Sequence, residues 1–187
     1  PVDGRLDPGV VEVAEDDGNL IFRFSFAGPL NTGWGAPNGM GIHTLDVYID
    51  AAEGGERKLL PGRNAALPQD SGWEFALWAE GWTPGLYGPP PSGKTEPQQI
   101  GDSSTLNIMS DPGQNKITIR VAKQVLADRL GVGVEALQPA SWGYLGIVMS
   151  QEGYPASGVW RIRDVEAAAA QWRIGGAPAD TNHTRIL

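Results

Sequence analysis

Tryptophans and carboxylates are the residues of this chain whose types and spacing could do chemistry: seven Trp and 22 Asp plus Glu against 14 Lys plus Arg in 187 residues. A Trp ring offers a flat apolar face that can stack on a pyranose, and amides or carboxylates around it can take up the hydroxyls. Trp78 shares its strand parity with Glu74 and Glu80, and Trp82 follows at the mouth of a loop. Trp34 lies in a Gly/Pro/Asn-rich stretch beside Asn31 and Asn38. Trp34, Trp78, Trp82, Asn38, Glu74 and Glu80 are therefore the candidate ligand-binding residues. Trp73, Trp142 and Trp172 are expected to fill a core or pin loops onto it, and Tyr87 and Tyr154 read as loop aromatics.

Nothing in the chain forms a catalytic constellation. His43 and His183 sit in no recognisable motif, and His43 shares parity with Leu45 and Val47, as a core or sheet-edge histidine would. Asp46 and Asp50 fall on one strand face but are about 13 Å apart by the rise per residue, too far for a glycosidase pair. Calcium takes carboxylate and carbonyl oxygens from turns. Asp16 and Asp17 in the run Glu15-Asp16-Asp17-Gly18-Asn19, together with Asp46 and Asp50, are the candidate donors for a structural calcium, without EF-hand spacing. Met40 lies three residues before His43, and Met109 and Met149 are further conceivable axial ligands for haem. No attachment motif can exist without Cys, and haem is not expected.

Composition narrows the rest. A net charge of −8 argues against nucleic acid or an anionic membrane surface as partner. The absence of Cys removes disulfides, zinc–thiolate sites and cysteine nucleophiles. No apolar run is long enough to span a bilayer, and the chain begins at Pro1 and ends at Leu187 as though cut at both ends. The 26 Gly and 15 Pro are spread along the chain, as many turns between short elements require.

Those elements are mainly strands. Val10–Ala14, Leu20–Ala27, Ile42–Asp50, Trp73–Glu80, Thr105–Met109, Lys116–Val121, Trp142–Met149 and Gly158–Ile162 carry the apolar alternation or β-branched runs of strands, with Phe22, Phe24 and Phe26 the clearest case. Trp73, Phe75 and Leu77 are expected on one inner face. Lys123–Leu130 reads as a short helix stopped by Gly131, and Asp164–Trp172 as a second. Gly28–Gly41 and the proline-rich 82–101 read as loops. The expected fold is an all-β, antiparallel, immunoglobulin- or jelly-roll-like sandwich with one or two short helices, in one domain over residues 1–187.

Several segments, in order, resemble the C-terminal module of glucodextranases and amylopullulanases, related to family 9 carbohydrate-binding modules and DOMON-like sandwiches. They include Asp17-Gly18-Asn19-Leu20-Ile21-Phe22, Leu45-Asp46-Val47-Tyr48-Ile49-Asp50, Leu60-Pro61-Gly62-Arg63-Asn64-Ala65, Trp73-Glu74-Phe75-Ala76-Leu77 with Glu80-Gly81-Trp82, and Trp172-Arg173-Ile174-Gly175-Gly176. The resemblance implies a β-sandwich appended to secreted or cell-surface α-glucan-degrading enzymes, with a polysaccharide or cell-surface glycan as partner and a catalytic domain linked or adjacent. Where the family opens with an acidic, Gly-rich, calcium-suited stretch, this chain has Asp3-Gly4-Arg5-Leu6-Asp7. The expected function is a carbohydrate-binding or surface-associating module, not an enzyme by itself. The alternatives are a structural domain that packs on a catalytic partner and a haem-binding sandwich.

Overall fold

A computed structural model describes residues 8–63 and 65–150, and places nine strands in two antiparallel sheets. In chain order they are β1 (Pro8–Glu15), β2 (Asn19–Phe26), β3 (His43–Asp50), β4 (Phe75–Ala79), β5 (Gly85–Gly88), β6 (Gln98–Gly101), β7 (Leu106–Asp111), β8 (Lys116–Ala122) and β9 (Gly143–Ser150). The first sheet has the order β1-β2-β8-β7 and the second β6-β5-β4-β3-β9. One α-helix, α1 (Lys123–Leu130), and two short 3₁₀ turns link β8 to β9. The expected strand at Gly158–Ile162, the helix at Asp164–Trp172, and Tyr154, Trp172 and His183 lie outside the described residues.

Alternation dictates the sandwich. Leu20, Phe22, Phe24 and Phe26 of β2 and Ile117, Ile119 and Val121 of β8 meet Leu45, Val47, Ile49, Phe75, Leu77 and Val148 of the facing sheet in one buried cluster. His43, inward by the same parity, is fully buried with its ring edge-on to Phe26, centroids 5.2 Å apart. The proline-rich stretch is not one loop. Gly85–Gly88 pairs with β4 and Gln98–Gly101 with β5, while Pro84 and Pro89 to Pro91 flank these short strands without interrupting a ladder.

The outward face of the second sheet is also covered. Residues 51–72, between β3 and β4, fold back over it as a clasp and build a second apolar cluster from Tyr48, Leu59, Leu60, Trp73, Ala76, Trp78, Tyr87, Ile147 and Met149. Trp73 belongs here rather than to the inner face. It precedes β4, bridges to Glu56, packs edge-on against Tyr48 at 5.8 Å and donates Nε1–H to the Lys58 carbonyl at 2.8 Å. The neck of the clasp is so close that a side chain at Gly72 would strike the Gly54 carbonyl.

Two polar tethers hold the clasp down. Arg63 reaches from it to β3 and grips Asp46 with two hydrogen bonds of 2.7 Å, Nε to Oδ2 and Nη2 to Oδ1, both side chains fully buried. Tyr48 donates its hydroxyl to Asp46 Oδ2 at 2.7 Å and accepts the Leu60 N–H, and Arg63 Nη1 donates to the Pro61 carbonyl. The second tether is Glu74, whose Oε2 accepts the backbone N–H groups of Ala51 and Ala52 at 2.7 and 3.1 Å. Its other oxygen is buried without a partner. Burial raises the Glu74 carboxyl above the ordinary value, Asp50 adds repulsion, and the two N–H donors oppose both without prevailing.

Removing one partner of a buried pair strands the other charge. Arg63→Met and Asp46→Asn are each expected to lower the unfolding free energy by about 3–5 kcal/mol, and the double variant by less than their sum. Urea unfolding of the four proteins measures it; additive losses would show that the pair is not coupled. For Glu74 the native carboxyl holds its proton more tightly than the unfolded one. That contribution is full below the unfolded value, about pH 4, and is lost as pH rises through the native value. Glu74→Gln keeps an acceptor for the Ala51 and Ala52 N–H groups and loses this dependence. Its Tm minus that of the parent should therefore grow between about pH 4 and pH 7, and a constant difference would refute the assignment.

Candidate functional site

The 28–41 loop carries the most exposed large apolar side chain given for the described residues: Trp34, with 63% of its surface open. Its backbone lies in the left-handed region, φ 63°, and Gly35 follows at φ 64°. That conformation costs a side-chain-bearing residue on the order of 1–2 kcal/mol, and it persists only where surroundings enforce it. They do so here. Asn31 Oδ1 accepts the Gly33 N–H, its carbonyl accepts the Gly41 N–H at 2.8 Å, and the Ala36 carbonyl accepts the Gly39 N–H at 2.8 Å.

The loop is also docked onto both sheets. Asn38 donates Nδ2–H to the Glu80 carbonyl at 2.9 Å and its own N–H to the Gly81 carbonyl at 3.1 Å, while its carbonyl accepts the Ser110 hydroxyl at 2.8 Å. The approach needs glycine at 81, where a Cβ would strike the Met40 carbonyl. Glu80 is fully buried, and its Oε1 accepts the N–H groups of Trp82 and Thr83, which closes the turn after β4. A rigid loop thus holds one bare indole ring at the end of the sandwich where β3 begins.

Of the residues expected to bind a ligand, Asn38 anchors this loop on the Glu80 carbonyl, the half-buried Trp82 lies in the turn that Glu80 closes, and Trp34 is the loop's exposed tip. Trp78 and Glu74 are placed otherwise. Trp78 is only 6% exposed, because the clasp covers the outward face of β4, and its ring meets the Arg63 guanidinium, 5.9 Å from Cζ to the centroid. Glu74 is spent on the Ala51 and Ala52 N–H groups. Alternation correctly put both on the outward face, but period two carries no signal that another segment will cover it.

The expected calcium donors do not fit the ion. Both oxygens of Asp46 are taken by Arg63 and Tyr48. Asp16 Oδ1 accepts the Gly18 and Asn19 N–H groups and the Asn19 amide, bonds that hold its carboxyl below the usual range, the amide first. Asp16 and Asp17 lie in the β1–β2 turn and Asp50 at the end of a strand of the other sheet. Among the described residues no three acidic or histidine side chains are grouped to hold a metal. For haem, Met40 is packed in the main core, Met109 is exposed on β7, and Met149 sits in the second cluster, on the face of the sheet opposite to His43.

A second concavity, missed in the sequence because its walls are far apart in the chain, lies where β3 ends. Asp50, Glu53 and Asp70 line it on the clasp side, and Ser141, Trp142 and Gly143 on the other.

No individually curated protein matches the chain. Residues 2–187 match the family described as the C-terminal binding-module, SLH-like, of glucodextranase. The chain belongs to the family of C-terminal, SLH-like binding modules of glucodextranase.

Proposed function

We propose that this chain is a non-catalytic glycan-binding module of a secreted or cell-surface α-glucan-degrading enzyme, and that Trp34 is its stacking platform. The observation that carries this reading is the Trp34 ring, held open to water on a strained but fully braced loop. Leaving most of an indole in water forgoes burial, and the left-handed backbone adds to the cost, so folding gains little from Trp at this position. Stacking on the C–H face of a pyranose recovers that apolar area when ligand binds. The match to glucodextranase modules supports α-glucan as the ligand and a linked catalytic domain as the context. Among the described residues no helix is long and apolar enough to cross a membrane.

Trp34→Gly separates this role from a structural one, since glycine adopts the left-handed conformation without strain. Affinity electrophoresis through starch, pullulan and dextran is expected to retard the parent on at least one polymer and to retard the variant clearly less. Its Tm should equal or exceed the parent's. Equal retardation of parent and variant would eliminate Trp34 as the platform, and free migration of the parent on all three polymers would eliminate α-glucan.

A further inference from the structure

The concavity where β3 ends consists of two adjoining hollows of about 340 and 200 Å³, which share Asp50 and Gly143. The larger runs between Glu53 and Asp70 of the clasp and Ser141 and Trp142. The smaller continues over Leu67 and Pro68 toward Tyr144 and Leu145. The larger hollow falls in the size range of small-ligand sites, about 300 Å³ and upward.

Its chemistry is one-sided. Asp50, Glu53 and Asp70 bring three carboxylates to one rim, and among the described residues none of them pairs with a cation or accepts a side-chain-directed hydrogen bond. Among the described residues they are thus open acceptors on the wall of the hollow. The carboxylates are not grouped to hold a metal ion, as a cation cage would be. Beside them stand a half-buried indole, backed by the main core, and an apolar strip of Leu67, Pro68 and Leu145. A ligand that suits both walls carries O–H donors along one edge and C–H surface along the other, which describes a neutral pyranose. Hydroxyls donating to carboxylates form the stronger, charge-assisted class of hydrogen bond. The same rim repels carboxylated sugars, within a chain already at −8.

We infer that this cleft is a second glycan subsite, selective for neutral sugar residues, with Asp50 and Asp70 as hydroxyl acceptors and Trp142 as the apolar wall. The inference rests on the reading of the module as a glycan binder but not on Trp34. The Trp34 loop docks where β3 begins and the cleft opens where it ends, seven residue steps away, or about 23 Å along the strand. The two sites are therefore separable by substitution.

Calorimetric titration with isomaltotetraose, a neutral α-1,6-linked tetrasaccharide, tests it. The parent is expected to bind at two sites and Trp34→Gly at one. Adding Asp50→Ala and Asp70→Ala to Trp34→Gly should weaken the remaining site about tenfold or more, with Tm confirming a folded chain. An oligosaccharide of similar length bearing glucuronate should bind the Trp34→Gly protein about tenfold more weakly than the neutral one. The subsite is overturned if Trp34→Gly binds no isomaltotetraose, or if the aspartate substitutions leave its binding unchanged. It is also overturned if a free-amine glucosamine tetramer binds that protein more tightly than isomaltotetraose, which would make the cleft a cation site. If Trp34→Gly leaves both sites intact while the aspartate substitutions remove one, the cleft stands and the Trp34 platform falls.

Discussion

The buried ion pair between Asp46 and Arg63 is the constraint on which the surface of this module depends. Taken alone it is an expensive way to join two segments, since both charges have left water. The cost is offset by a shell in which each Asp46 oxygen meets a guanidinium nitrogen, the Tyr48 hydroxyl adds a third donor, and the Pro61 carbonyl takes another Arg63 N–H. Burial alone would disfavour the Arg63 charge, but the adjoining carboxylate outweighs it and raises the guanidinium above its ordinary value. Burial, with Asp46 second, likewise keeps the Tyr48 hydroxyl protonated far above its usual range, so its proton stays available to Asp46. Apolar clusters hold many alternative packings at similar energy, whereas a bidentate pair accepts one geometry. The pair thereby fixes where the clasp lies on the sheet.

That placement decides which surfaces can meet a ligand. An uncovered outward face of the second sheet would have presented Trp78 and Tyr87 side by side, the flat aromatic array a polymer could lie across. The clasp turns this array into a second core and shifts chemical opportunity to the rims. At one rim the Gly/Asn-rich loop raises Trp34; at the other the clasp itself supplies Asp70, Leu67 and Pro68 to a cleft completed by the segment before β9.

Most of the sandwich was legible in the sequence because two-residue alternation is a direct record of a face buried on one side. Phe22, Phe24 and Phe26, Leu45, Val47 and Ile49, and Ile117, Ile119 and Val121 all point where that periodicity says. The helix at Lys123–Leu130 was equally plain, and the ordered segments shared with glucodextranase modules agree with the family match. What escaped were consequences of long-range covering. Outward parity does not report exposure, so Trp78 is covered where alternation alone leaves it open, and Trp73, though in parity with Phe75, lies before β4 and turns to the other face. β5 and β6 were hidden by prolines that flank the strands instead of breaking them. Residue type and loop context single out Trp34, Asn38, Glu80 and Trp82, which the fold places at or next to one loop. They do not single out the cleft at Asp50, since residues 50–54, 70–72 and 141–143 share no local pattern.

The close crossing of Gly54 and Gly72 has a further consequence, for how such a module diversifies. It closes the clasp at its neck, so the chain beyond the neck is a loop whose ends are already joined. Lengthening a closed loop costs little, about 0.6 kcal/mol for each doubling. Ala65 to Pro68 are hydrogen-bonded to residues 57–59 and held in place, but Gln69 to Ser71 can gain or lose residues with the anchor and the sheet beneath it undisturbed. That stretch borders the cleft through Asp70 and Ser71. Sequence change is cheap on that part of the border, and a family built on this plan is free to remodel one rim while its core stays fixed.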